Sequence, residues 1–241
     1  MPAARTPDLA DGPARDSRFV VAERWAECAN FPGGHPLRKL EFFHRQMNEE
    51  VDSLECCARN LADFPQEAWE LRVGLARQCA DEARHAAMFR RILEARGGQV
   101  GEYPVLNFQY RIIASIPSLV GRMAVQNRSF EAGGLDAIQY GIDAARQEGD
   151  EELVELYRAQ HADEIAHVRF ANHWIRVATT DDPSSVLRIG AALNMASKAF
   201  VQVMGHEGTS DVAYPADASG RLEAGFTDAE IQMATRLRAA P

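Results

Sequence analysis

The sequence predicts an all-α protein built on a bundle of four long helices, with extra connecting and C-terminal helices. Apolar residues recur at helical spacing along each long segment, and no stretch alternates apolar and polar residues as a strand would. Gly and Pro residues mark the ends of these segments. The motif Glu-x-x-His also occurs twice, on helical faces that are otherwise apolar. These observations together indicate a helical bundle whose interior contains acidic residues and histidines.

The first two helices are predicted over 36–61 and 66–96. Phe64-Pro65 breaks the first segment, and Gly97-Gly98 ends the second. Because the link between the segments is short, we expect the two helices to be antiparallel neighbours.

A third long helix is predicted to end near Ala132, and two alternatives are open for its start. Ser115 can cap a helix in which Pro117 occupies the first turn, where a missing N–H does no harm. Alternatively, the helix begins near Leu106 and kinks at Pro117. The pattern of apolar residues is compatible with both alternatives.

Gly133-Gly134 is expected to interrupt the helical pattern, and Gly149 marks a later turn. Thr227 and Glu230 occupy the two positions of a capping box before a short last helix. Four further helices are therefore predicted, and they cover 135–148, 150–178, 183–204 and 227–238.

We expect three regions along the chain. Residues 1–17 are predicted to be a mobile N-terminal tail, because they are rich in Pro, Ala, Asp and Arg and lack the apolar core of a secretory signal. Residues 18–204 are expected to form the helical bundle. Residues 205–241 are expected to be an extension that packs on the bundle or trails from it.

The composition excludes some classes of function. The formal net charge of -9 over 241 residues argues against a nucleic-acid partner, and no long apolar run predicts a membrane span. The four cysteines form no C-x-x-C pair, which favours reduced thiols in a cytoplasmic protein over a disulfide framework or a zinc site. Those cysteines are Cys28, Cys56, Cys57 and Cys79.

The candidate metal ligands occur as two similar sets. In each set a glutamate and a histidine stand three residues apart, so both side chains project from one helical face. A lone glutamate precedes each pair at nearly equal distance on an earlier helix. The six residues are Glu50, Glu82, His85, Glu131, Glu164 and His167.

Glu50, rather than its neighbour Glu49, is assigned to the core. The face of Glu50 also carries apolar residues, namely Met47, Leu54 and Cys57. Glu49 is expected to face water together with Arg45, Asp52 and Ser53.

A bound metal explains why these acidic groups could tolerate an apolar interior. An unpaired buried carboxylate costs several kcal/mol, and two divalent cations would neutralise four carboxylates. Carboxylate-rich sites with one imidazole per metal suit iron or manganese, whereas structural zinc prefers thiolates. We therefore predict a site for two iron ions, two manganese ions or one of each.

Three further polar residues are candidates for a layer around the ligands. Asp81 and Asp163 precede the motif glutamates and are predicted to accept the outer N–H groups of the two histidines. Arg84 is a candidate for the same layer. The alternative for all three is a solvated helix face.

Several segments carry a family resemblance. They are Phe-Glu-Ala-Gly-Gly-Leu-Asp at 130–136, Gly-Asp-Glu-Glu at 149–152, Asp-Glu-Ile-Ala-His-Val at 163–168 followed by Asn172, His173 and Trp174, and Ala-Gly-Phe-Thr at 224–227. They resemble a bacterial ferritin-like family described as a domain of unknown function. The run Asp-Glu-Ala-Arg-His at 81–85 is similar to the second helix of bacterial multicomponent monooxygenases. The resemblance implies a ferritin-like dimetal bundle with the six residues above as ligands, and it implies no substrate.

The leading functional hypothesis is an oxidase or oxygenase that uses dioxygen as co-substrate to oxidise a small organic molecule. Glu82 and Glu164 are then expected to bridge the metals, with Glu50 and Glu131 as terminal ligands. An external electron donor and a monomer or homodimer fit this hypothesis.

Three other functions compete with an oxygenase. A ferroxidase or iron-storage protein would assemble into a many-chain shell. A rubrerythrin-like peroxidase usually carries paired C-x-x-C runs, which this sequence lacks. The third alternative is a non-catalytic helical protein in which the metal would only stabilise the fold.

Overall fold

The secondary structure of the protein is helical. The computed structural model describes residues 9–208 and 214–239, and no strand occurs among them apart from an isolated β-bridge between Val21 and Val105. The prediction of an all-α protein is confirmed. The helices are α1 (Arg38–Asp63), α2 (Trp69–Ala95), α3 (Phe108–Ser115), α4 (Leu119–Val125), α5 (Ala132–Glu148), α6 (Glu151–Asp181), α7 (Ser185–Gly208), α8 (Ala218–Glu223) and α9 (Asp228–Ala239).

Two short helical segments of other types complete the list. A 3-10 turn covers Trp25–Glu27, and a π-helical segment covers Gln126–Glu131 between α4 and α5. The described residues divide into two compact units. The first unit contains residues 9–119 and 193–208, and the second contains residues 120–192 and 214–239.

The first unit is organised around the hairpin of α1 and α2. The two helices pack against each other along an apolar interface, and α3 packs on α1. Phe43 and Met47 from α1 and Leu75 and Phe89 from α2 are buried. The bounds of both helices lie within three residues of those that the apolar period predicts, because Pro65 and Gly97 terminate the pattern where expected.

Pro117 separates two helices rather than starting or kinking one. Helix α3 ends at Ser115, and Ile116 is extended with φ -85° and ψ 124° before α4 begins at Leu119. A residue that precedes proline is disfavoured in the helical region because its backbone clashes with the proline ring. Neither alternative for the third helix is therefore correct as stated, although the earlier start near Leu106 is the closer of the two.

The second unit is organised around the hairpin of α5 and α6, which pack against each other. Gly149 closes α5 in the left-handed conformation with φ 71°, as expected of a glycine that follows a helix. Asp150 caps α6, since its carboxylate accepts a hydrogen bond from the Leu153 N–H at 3.3 Å.

The expected interruption at Gly133-Gly134 is wrong. Helix α5 runs without a break from Ala132 and contains both glycines. Ala132 and Leu135 are buried in an apolar cluster with residues of α6, α9 and the segment after α8. This packing offsets the cost of about 1 kcal/mol that each glycine imposes on a helix interior.

Helices α8 and α9 belong to the second unit. Helix α8 packs on α5, α6 and α9, and the Asp136 carboxylate on α5 accepts hydrogen bonds from Nε and Nη2 of Arg221 at 2.9 and 2.7 Å. The predicted capping box is confirmed at the start of α9, where Glu230 N–H donates to Thr227 Oγ1 at 3.3 Å and Thr227 N–H donates to Glu230 Oε2 at 2.8 Å. Residues 214–239 are therefore attached to the second unit by buried contacts.

The expected N-terminal tail, 1–17, falls partly outside the described residues, which begin at residue 9. Within the described part, the buried guanidinium of Arg15 is paired with Asp52 at 3.1 Å and with Glu55. This portion of the N-terminal segment is thus anchored to α1.

Among the described residues, no helix combines the length and the apolar character that a membrane span requires.

Candidate metal centre

The first half-site consists of Glu50 on α1 and of Glu82 and His85 on α2, and all three side chains are buried. His85 Nδ1 lies 3.2 Å from Glu82 Oε2 and 3.4 Å from Glu50 Oε2. The glutamate and histidine of α2 share a face because three residues separate them, and the packing of α1 on α2 brings the second carboxylate to the same imidazole.

The donor atoms of the first half-site fit a metal ion. Each of the three residues offers a ligand atom within 4.8 Å of the others. Metal–ligand bonds of about 2.0–2.2 Å place neighbouring ligands about 3 Å apart, which is close to the distances from His85 to the two carboxylates. This buried cluster could therefore hold a metal ion with only small side-chain movements.

Gln78 supports the first half-site. Its Nε2 donates to Glu82 Oε1 at 3.2 Å, and its side chain is buried. Sequence reasoning missed Gln78, although the signal is present: it stands four residues before Glu82, on the same face of α2. An amide that donates to one carboxylate oxygen leaves the other oxygen oriented toward the imidazole.

The second half-site consists of Glu131 in the π-helical segment and of Glu164 and His167 on α6, again all buried. His167 Nδ1 lies 3.6 Å from Glu164 Oε2. Glu131 and His167 offer ligand atoms within 4.8 Å of each other. The residue types and their burial repeat those of the first half-site.

Two amides bind the carboxylate of Glu131. Gln126 Nε2 donates to Glu131 Oε1 at 3.1 Å, and Asn127 Nδ2 donates to Glu131 Oε2 at 2.7 Å. Asn127 stands four residues before Glu131, a spacing that places both on one face of a regular helix. Sequence reasoning missed Gln126, which stands five residues before Glu131. That five-residue spacing matches the i to i+5 bonding of a π-helix, a form that occurs frequently at functional sites.

The electrostatics are the same in both half-sites. Each half-site removes two carboxyl groups and one imidazole from water, and the ionised form of a buried carboxyl group needs a compensating positive charge. Amide donors lower the cost of burial without cancelling the charge. One divalent cation per half-site would cancel it.

The three candidates for the outer layer have more exposed surroundings than the ligands. Asp81 is partly exposed and pairs along α2 with Arg84 at 3.1 Å and with Arg77 at 3.8 Å. Arg84 is exposed, and Asp163 is partly exposed. A role for Asp81 and Asp163 in orienting the histidines stays a prediction.

The assignment of Asp52 and Ser53 to the solvent face of α1 is wrong. Both side chains are buried, and Asp52 Oδ2 accepts a hydrogen bond from the Tyr110 N–H at 3.1 Å. Burial raises the pKa of Asp52 to about 7. The face appears polar in the sequence because its partners, Arg15 and the start of α3, lie far away along the chain. Glu49 is partly exposed and pairs with Arg45 at 3.2 Å.

Comparison with known proteins gives a family match. A search of curated proteins and a search of solved structures each returned no match. The family model described as "Protein of unknown function (DUF455)" matches residues 3–232. Because this match spans most of the 241 residues, the chain belongs to the DUF455 family.

Proposed function

We propose that this protein is a non-haem dimetal oxidoreductase, in its leading form a di-iron oxidase or oxygenase, that uses dioxygen to oxidise a small organic substrate. One observation carries the proposal: each compact unit buries the same ligand set, two glutamates and a histidine, with the glutamate and histidine three residues apart. A single buried Glu-x-x-His pair would have no such weight, because isolated pairs arise by chance on helices.

In the proposal the metal ligands are Glu50, Glu82, His85, Glu131, Glu164 and His167. Four helices supply these residues: α1, α2, the helix that includes the π-helical segment, and α6. This is the ligand pattern of ferritin-like carboxylate bundles, in which two helices give a Glu and two give Glu-x-x-His. We therefore extend the all-α fold to a ferritin-like four-helix bundle as part of the proposal.

The bound metals would supply electrons and a site for dioxygen activation, which no side chain of this cluster can supply. The chain's own residues have three tasks. The glutamates and histidines hold the ions, the amides of Gln78, Gln126 and Asn127 orient two of the carboxylates, and the apolar surroundings exclude water. Asp81, Arg84 and Asp163 are proposed to orient the histidines from outside.

The remaining parts of the proposal concern partners and location. An oxygenase of this type needs a small organic substrate and an external electron donor, and a homodimer or monomer suits it better than a many-chain shell. None of the four cysteines is part of a disulfide, which fits a reducing compartment, so we propose a cytoplasmic location.

Anaerobic loading with ferrous iron, followed by exposure to oxygen, tests the proposal. We expect two iron ions per chain and oxygen consumption that stops after chelation. Glu50→Gln should lose iron and oxygen uptake, whereas Glu49→Gln, its partly exposed neighbour on α1, should keep both. A shell that accumulates many irons per chain would favour storage. Bound iron without oxygen uptake would favour the alternative of a non-catalytic protein in which the metal only stabilises the fold.

A further inference from the structure

The chain has a pair of thiols that the proposed metal chemistry does not use. Cys57 lies on α1 and Cys79 on α2, and the two side chains are hydrogen-bonded to each other. Neither cysteine is part of a disulfide. The contact therefore joins the two helices of the first half-site through sulfur atoms.

The geometry places both thiols at the interface of α1 and α2. Cys79 Sγ also lies 3.7 Å from the Leu54 carbonyl oxygen, so it reaches the backbone of α1 three residues before Cys57. Residues three apart share a helical face, which puts Cys57 on the side of α1 that Cys79 contacts. A disulfide requires two cysteines whose side chains face each other, and the hydrogen bond between these two thiols brings their side chains into contact.

The two thiols differ in exposure and in acidity. Cys57 is 1% exposed, whereas Cys79 is partly exposed and can meet a small oxidant. The hydrogen bond from the Cys57 thiol lowers the pKa of Cys79, which increases its thiolate fraction. By contrast, burial raises the pKa of Cys28 to about 11. Cys56, adjacent to Cys57, is completely buried.

We propose that Cys57 and Cys79 are a peroxide-oxidisable dithiol that closes to a disulfide between α1 and α2. Hydrogen peroxide is the oxidant: the Cys79 sulfur attacks one peroxide oxygen, the O–O bond breaks, and Cys79 sulfenic acid and water form. The Cys57 sulfur then attacks the Cys79 sulfur, the S–O bond breaks, and a second water leaves. Two thiols and one peroxide thus give one disulfide and two waters.

The disulfide would fix the spacing of the two helices close to the ligands. Cys79 is one turn before Glu82 on α2, and Cys57 is two turns after Glu50 on α1. The reaction requires no metal, so the dithiol is testable whether or not the protein is an oxygenase.

Peroxide treatment followed by peptide mapping tests the proposal. The full chain, as purified and again after chelation, is treated with hydrogen peroxide, and the remaining thiols are alkylated. Trypsin cleaves after Arg45, Arg59, Arg77 and Arg84, which isolates peptides 46–59 and 78–84. We expect a reducible link between these two peptides within a single chain, found by mass spectrometry without prior reduction.

Three variants identify the cysteines in the link. Cys56→Ser should retain it, whereas Cys57→Ser and Cys79→Ser should each abolish it. Circular dichroism shows whether each variant is folded. In a folded Cys57→Ala variant, iodoacetamide should label Cys79 more slowly at neutral pH, because alanine removes the hydrogen bond that favours the thiolate. A link through Cys28 or Cys56, a link only between chains, or over-oxidation of Cys79 without a link would overturn the proposal.

Discussion

The two half-sites have the same ligand types but different supports. In the first half-site Glu50 comes from a regular α-helix, and one imidazole lies within 3.4 Å of both carboxylates. In the second, Glu131 comes from a π-helical segment and its carboxylate is bound by two amides. The repeated motif sets which groups are available, and the local backbone sets how firmly each carboxylate is held before any metal binds.

This difference predicts two unequal metal positions. The first half-site presents two carboxylates to one histidine nitrogen, so its donor atoms already converge. In the second half-site His167 Nδ1 lies 3.6 Å from Glu164 Oε2, and Glu131 must keep or exchange two amide hydrogen bonds when it binds an ion. We expect the first half-site to fill at lower metal concentration.

Removal of one carboxylate from each half should have the largest effect. Glu82→Gln and Glu164→Gln each replace an anionic ligand by a neutral amide of the same shape. We expect the iron content to fall from two ions per chain to one or none in both variants, as measured by elemental analysis after anaerobic loading. If the iron content of either variant stays at two, that glutamate is not a ligand.

Loss of Arg221 should destabilise the second unit selectively. The Arg221 guanidinium donates to Asp136 and also to the Ala132 carbonyl oxygen at 2.8 Å, directly after Glu131. Arg221→Met leaves the buried Asp136 carboxylate without this cation, and we expect the free energy of unfolding to fall by about 3–5 kcal/mol. Chemical denaturation measures it.

The control for Arg221 is an exposed pair on the same unit. Arg169 and Glu223 are 3.0 Å apart with about half or more of each side chain exposed. Arg169→Met should cost no more than about 1 kcal/mol. The double variant Asp136→Leu/Arg221→Met should be more stable than Arg221→Met alone, because it removes the buried charge together with its partner.

The side-chain amides of Asn127 and Gln78 should each strengthen metal binding in the half-site to which they belong. Asn127→Leu removes the 2.7 Å hydrogen bond to Glu131, and Gln78→Leu removes the 3.2 Å hydrogen bond to Glu82. Loss of such an orienting partner typically weakens metal binding about 10–100-fold. Titration with ferrous iron should show a weaker second binding step in Asn127→Leu and a weaker first step in Gln78→Leu. The same step weakened in both variants would contradict unequal half-sites.

The smallest expected effect is a pH dependence of the first unit. His44 is buried, its Nε2 accepts a hydrogen bond from the Gly101 N–H at 2.8 Å, and burial lowers its pKa below 6.5. As pH falls through 6.5, the unfolded chain takes up a proton that the folded chain excludes, so stability declines by at most about 1.4 kcal/mol per pH unit until the lower folded pKa is reached.

His44→Gln isolates this contribution, since glutamine can accept a hydrogen bond and does not titrate. Its unfolding free energy, measured by denaturation between neutral pH and pH 5, should depend less on pH than that of the unchanged protein. An equal slope in both proteins would show that His44 is not the titrating group.

Local signals in the sequence account for much of the fold. Helix caps and capping boxes can be predicted from sequence because each depends on residues close together along the chain. This applies to the caps at Gly149 and Asp150 and to the capping box of Thr227 and Glu230. The burial of all six candidate ligands also follows from the apolar period of their helices. That period assumes regular α-helix, however, so it could not reveal the π-helical segment that carries Glu131.

The predictions that were wrong concern residues whose contacts lie far away along the chain. Asp52 appeared to face water because Arg15 and the Tyr110 N–H are 37 and 58 residues away along the chain. Gly133-Gly134 appeared to break a helix because the burial of Ala132 and Leu135 depends on residues after 160. Such pairings depend on tertiary packing, which overrides local propensity.

The ion pair of Asp136 with Arg221 has a practical consequence for anyone who shortens this protein. A C-terminal truncation at residue 205, where the helical pattern of the sequence loosens, would appear harmless from the sequence alone. It would remove Arg221 from a carboxylate that is completely buried, and Phe226 and Ile231 from the apolar cluster around Ala132. Loss of iron from such a fragment would therefore reflect destabilisation of the second unit. It should not be taken as evidence against the assignment of the six metal ligands.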